Sequence, residues 1–192
     1  MTGTAVVALH YQNDVLHPDG KIRVGLSADS PVRASVIAAA QVLLAGARER
    51  GLPVVHVRIA FRPDYADLLA NAPIFRNVRA SGAVQEDSWG SEFFAGLAPQ
   101  AHELVVKHQR INAFYGTPLE DALRIAGARR LVIAGVATHS VVESTVRHAV
   151  DMGYEVTVAA DACASAQPAE HAASLHSMGL IATIARGAEV FQ

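Results

Sequence analysis

The chain has 192 residues, a formal net charge of −2 and 51% hydrophobic residues, which suits one well-filled domain over residues 1–192. Without a basic block it offers nothing to nucleic acid or to an anionic membrane surface, and no apolar run approaches the ~20 residues of a bilayer span. The N-terminus shows no basic stretch ahead of its first strand-like run, so no signal peptide is expected, and a single cysteine, Cys163, excludes an internal disulfide and fits a cytoplasmic protein.

Six short apolar runs read as strands, at residues 5–10, 54–60, 103–107, 131–136, 155–160 and 181–185. Most are nearly continuous Val, Ile, Leu and Ala, the pattern of parallel strands covered on both faces. Helical spacing lies between them. Residues 32–51 place Val36, Ala39, Ala40, Leu43 and Ala47 on one face, with a Gly stop. Thr117, Pro118 and Glu120 form a capping box opening a helix to about Ile125. Thr138 is expected to cap a helix with Val142, Thr145, Val146, Ala149 and Met152 on its inner face. Pro168 opens another helix, to Met178. The stretch 61–100 shows few regular signals and reads as a long excursion over the sheet edge, a lid or a subunit contact. Strand–helix alternation with short connections predicts a three-layer α/β/α, doubly wound, mainly parallel sheet, whose sites form at strand carboxyl ends.

The turn after the first strand, Leu9-His10-Tyr11-Gln12-Asn13-Asp14, holds no glycine, so a dinucleotide cofactor is not expected, and no phosphate-binding loop occurs elsewhere. Nine scattered histidines lack metal-ligand spacing, and neither a metal nor another cofactor is expected.

Taken together, four segments resemble the isochorismatase-like hydrolases, the cysteine hydrolase superfamily. They are His10 to Asp14; Lys107 with Asn112 to Leu119; Gly135-Val136-Ala137-Thr138 with Glu143 to Thr145; and Gly153 to Val156 with Asp161 to Ser165. The resemblance covers nearly the whole chain. It implies an Asp–Lys–Cys catalytic set. It also implies a cis peptide between Val136 and Ala137 that aims backbone N–H groups at an oxyanion, a small-molecule substrate, and a homodimer or homotetramer. In that set a helix N-terminus and an ammonium lower the thiol pKa while the carboxylate moves protons. On this chain Lys107 is equated with the lysine, His10 stands for the aspartate, and Val141 stands where the cysteine belongs, so thiol catalysis there is excluded. Zinc-binding relatives carry D-x-H after the second strand, where this chain has Arg58-Ile59-Ala60-Phe61-Arg62. The reading is a hydrolase without a thiol nucleophile, using His10, Lys107 and a backbone oxyanion site at 136–141. Tyr11, Gln12, Phe61, Arg62, Trp89, Phe114, Tyr115, Ala137, Thr138 and His139 are the candidate substrate contacts. A non-hydrolytic binding protein, or a lyase or cyclase of specialised metabolism, is the alternative.

Overall fold

A computed structural model describes residues 2–192. Its strands are β1 (Thr4–Leu9), β2 (Val54–Ile59), β3 (Leu104–His108), β4 (Arg130–Gly135), β5 (Glu155–Ala159) and β6 (Thr183–Ala185). They form one all-parallel sheet in the order β3-β2-β1-β4-β5-β6. Helices α1 (Asn13–Leu16), α2 (Arg33–Glu49), α3 (Pro73–Ser81), α4 (Leu119–Ile125), α5 (Glu143–Asp151) and α6 (Pro168–Met178) cover both sides. Every residue of central β1 is buried, as a strand packed on both faces requires. No helix among the described residues is long and apolar enough to cross a membrane.

All six expected strands form, with ends shifted by a residue or two. Helix α2 buries Val36, Ala40, Leu43, Leu44 and Ala47, a three-four stripe. Three expectations need correction. The capping box does not form: the N-cap of α4 is Pro118 without a side-chain bond, and Glu120 pairs with Arg124. Thr138 caps nothing: residues Thr138–Val142 make a π turn, its N-cap is Ala137 without a side-chain bond, and α5 starts only at Glu143. The excursion 61–100 is not structureless either. It contains α3, which opens on Pro73 at its first turn and closes at Gly82 in the left-handed region (φ 64), the usual punctuation of a helix. Phe75 and Val78 of α3 join Ile59, Phe61, Leu68, Ala83 and Val84 in a second buried cluster, separate from the main core.

Candidate active site

From β1 the chain builds outward through β2 and β3, then returns to lay β4 on the other side of β1. The carboxyl ends of β1 and β4 therefore flank the switch point of the sheet, where a crevice opens. His10 follows β1 with φ 59, a left-handed conformation seldom adopted outside glycine and enriched at functional sites. Its backbone N–H donates to Val57 (2.9 Å). Its imidazole Nε2 faces Nε2 of His108, the last residue of β3, in a short hydrogen bond with ring centroids 4.6 Å apart.

Both rings are buried. Two neutral imidazoles that meet through Nε2 share a single proton, one ring donating and the other accepting. Burial pushes the His10 pKa well below 6.5, the charge of His108 pushes it further, and the Val136 backbone opposes both. Burial takes His108 down to about 4, against the opposing Asn112 carbonyl. The pair is thus neutral at pH 7.

His10 opens into a cavity of about 510 Å³, a common size for a small-molecule site. Its inner end is Val136, Ala137, Ser140 and Val141. Its walls are Ile22, Val24, Gly25, Ile59, Ile74, Phe75 and Val78, and its rim carries Lys21, Arg23 and Arg110. The 21–25 segment lies against the β4 turn because residue 25 is glycine: a Cβ there would sit 1.9 Å from Val136 Cγ1. The Val136–Ala137 peptide is cis. The Ala137 carbonyl accepts from Ser140 (3.2 Å) and Val142 (3.3 Å). Among the described residues the Ala137 N–H has no hydrogen-bond acceptor, and Ala137 lines the cavity.

The structure redistributes the expected site residues. His10, Ala137 and Val141 line the cavity. Lys107 does not. Alternate residues of a strand point to opposite faces, so where His108 turns toward His10, Lys107 turns outward and pairs with Glu86 (2.9 Å), its side chain 39% exposed. The side chain facing His10 is one residue beyond the expected one. Tyr11 donates its hydroxyl to the Ala162 carbonyl (2.7 Å). Gln12 bridges Ile59 N–H and C=O and the Ser91 carbonyl. Both side chains are buried and hydrogen-bonded within the protein, and neither lines the cavity. Phe61 belongs to the second cluster, Arg62 is exposed on Asp64 (2.9 Å), and Trp89 is half-exposed and edge-on to His17. Phe114 stacks on His148, and Tyr115 is exposed. Thr138 Oγ1 is hydrogen-bonded to His171 Nδ1 (2.8 Å) and His139 Nδ1 to Ser165 Oγ (2.7 Å), so both turn away from the cavity. Cys163 is buried, donates weakly to the Ala159 carbonyl, and burial pushes its thiol up to about 12, which leaves it unreactive.

Sequence reasoning missed His108, Arg23, Arg110, Lys21 and the α3 wall. Strand β3 runs to His108, one residue past the expected end at Lys107, and the loop residues carry no pattern. Among the described residues no group of three His, Cys, Asp or Glu gathers within reach of one ion.

Residues 4–190 match the isochorismatase domain model. The isochorismatase family protein YecD of Escherichia coli O157:H7 is 34% identical over 141 residues, which is 73% of each chain. The ureidoacrylate amidohydrolase RutB of Methylobacterium radiotolerans is 31% identical, over 92% of this chain and 71% of its own. Among solved structures, an isochorismatase family protein from Desulfovibrio vulgaris superposes with a TM-score of 0.86 at 26% identity, covering 97% of this chain and 95% of its own.

Proposed function

This chain belongs to the isochorismatase family, and we propose that it is a hydrolase of a small organic amide or ester in which the His10–His108 pair activates water directly. The observation that carries this reading is a buried, neutral imidazole pair whose His10 lines a cavity beside an uncommitted backbone N–H. A residue held neutral at pH 7 with a depressed pKa is suited to accept a proton, not to supply one. The pair therefore fits a general base better than the acid that a vinyl-ether cleavage would require.

In the proposed reaction a water in the cavity gives a proton to Nδ1 of His10, the ring nitrogen left with a lone pair when His10 donates Nε2–H to His108 and His108 donates Nδ1–H to the Asn112 carbonyl, as the water oxygen attacks the substrate carbonyl carbon. The Nε2 link to His108 spreads the resulting positive charge over two rings. Negative charge develops on the carbonyl oxygen, where the Ala137 N–H supplies a preorganised donor. The proton then returns to the leaving amine or alcohol, yielding an acid and an amine or alcohol. Val141 leaves no covalent route at that position. Ser140 reaches the cavity, but its hydroxyl has no hydrogen-bonded base among the described residues, so it lacks the activation a serine nucleophile needs. The amidohydrolase activity named for RutB supports testing amides first.

The test is turnover of an amide and ester panel, ureidoacrylate included, by the purified chain and by His10→Gln. Hydrolysis by the wild type that His10→Gln abolishes supports the mechanism; equal turnover by both overturns it.

A further inference from the structure

The rim of the cavity carries Lys21, Arg23 and Arg110, and no Asp or Glu is among its lining residues. Three cations without a counter-ion around an apolar pocket call for one. The nearby carboxylates are engaged elsewhere. Asp14 accepts the backbone N–H groups of Lys21 (3.0 Å) and Val84 (2.7 Å), tying two loops together. Glu86 holds Lys107, and Asp67 accepts from Gln109 and from the Arg62 backbone.

The cations are oriented by neutral groups. Arg110 donates to the Leu69 carbonyl (3.2 Å) and Asn71 Oδ1 (3.0 Å) and lies 4.2 Å over the Phe75 ring. Lys21 Nζ donates to the Gly82 carbonyl (2.8 Å). Carbonyl dipoles and a ring face fix these side chains without cancelling their charge. Arg23 makes no ion pair or side-chain hydrogen bond among the described residues, so its planar fork of donors is free for a bidentate partner.

We propose that the substrate is an organic anion, a carboxylate or similar oxyanion on an apolar body, held at the rim by Arg23 and Arg110 from two different loops. Lys21 adds field rather than a fork. The apolar body lies on Ile22, Val24, Ile74, Phe75 and Val78, and the reacting carbonyl reaches His10 and Ala137 at the inner end. This rests on the reading of the cavity as the reaction site, but it is tested by binding and not by turnover.

The experiment titrates wild-type protein with two matched pairs: phenylacetate against phenylacetamide, and 3-phenylpropanoate against 3-phenylpropanamide, by calorimetry or ligand-observed NMR. Each carboxylate should bind roughly tenfold or more tightly than its amide, since a hydrogen bond to a charged group exceeds a neutral one by about that factor. The advantage should shrink with added salt. Arg23→Gln, exposed and therefore harmless to folding, should reduce it, and Arg23→Gln with Arg110→Gln should abolish it, while His10→Gln should keep it. Carboxylate preference without turnover would leave this inference standing and remove the hydrolytic one. Equal binding of acid and amide, a preference that survives the double variant, or no binding by any of the four compounds would overturn it.

Discussion

The cavity has two halves built on opposite principles. One is the strand-end wall of His10, Ala137 and Val141, with His108 behind His10, buried and neutral, set by the register of the central sheet. The other is the loop wall of residues 21–25, α3 and Arg110, partly exposed and cationic, set by a small second cluster. The first half has the geometry for chemistry and no net charge; the second has charge and no catalytic group. The contrast separates how a molecule is held from how it reacts, and substitutions on the two walls should therefore move different kinetic constants.

The largest expected effect is on the strand-end wall. His10→Gln keeps a neutral polar side chain but removes the proton acceptor, and loss of a general base lowers kcat by about 10²–10⁴-fold. Binding of the carboxylate probes should barely change. A kcat that holds while KM rises would place His10 among the recognition groups and erase the division between the walls.

On the loop wall the corresponding loss is structural. Phe75 is 2% exposed and centres the second cluster while supporting Arg110. Phe75→Ala should destabilise by about 3–5 kcal/mol, read as a lower denaturation midpoint in urea. Because the second cluster is separate from the main core, part of the loss should appear as local opening of residues 61–84 in hydrogen exchange, with β1 and β4 still protected.

The imidazole pair also makes stability depend on pH. Folding depresses the pKa of both rings, so the unfolded chain binds more protons than the folded one below about 6.5. Stability is therefore fully present above that pH and is lost as pH falls toward about 4, the value for His108. His108→Phe should flatten this dependence in acid denaturation curves. An unchanged acid limb would mean that the two rings are not the groups being protonated. Activity should fall over the same direction of pH, because the protonated pair can no longer accept a proton from water.

How much of this is readable in the sequence follows from the same division. Strand ends are fixed by runs such as 5–10 and 131–136, whose continuous apolar character leaves little freedom, so the order of residues alone locates His10 and the 136–141 turn. Residues 61–100 resist such a reading because α3 is nine residues long and buries only Phe75 and Val78, too few to show a period. Its signals are terminal, Pro73 and Gly82, and terminal signals without a stripe do not distinguish a helix from a loop. The hydroxyl and imidazole of Thr138 and His139 mislead for the opposite reason. Lying beside the site in sequence, they are drawn outward to His171 and Ser165, while the apolar members of the turn face the cavity. Arg23 and Arg110 come from loops far apart in the chain, and only folding brings them to one rim.

The smallest expected effect tests the finest point of register. Lys107 and His108 are neighbours in sequence on opposite faces of β3. An ion pair this exposed contributes about 0–1 kcal/mol, so Lys107→Ala should leave denaturation midpoints within about 1 kcal/mol of wild type and turnover unchanged. His108→Phe at the next position should lower kcat with His10→Gln, because it removes the ring that shares the proton, and the double variant with His10→Gln should be no worse than His10→Gln alone, as residues acting as one unit are not additive. A Lys107→Ala variant that loses activity while His108→Phe retains it would reverse the register and return the ammonium to the site. The alternation of the strand argues against that outcome: turning Lys107 inward would carry His108 out to solvent and leave His10 without a partner in the interior.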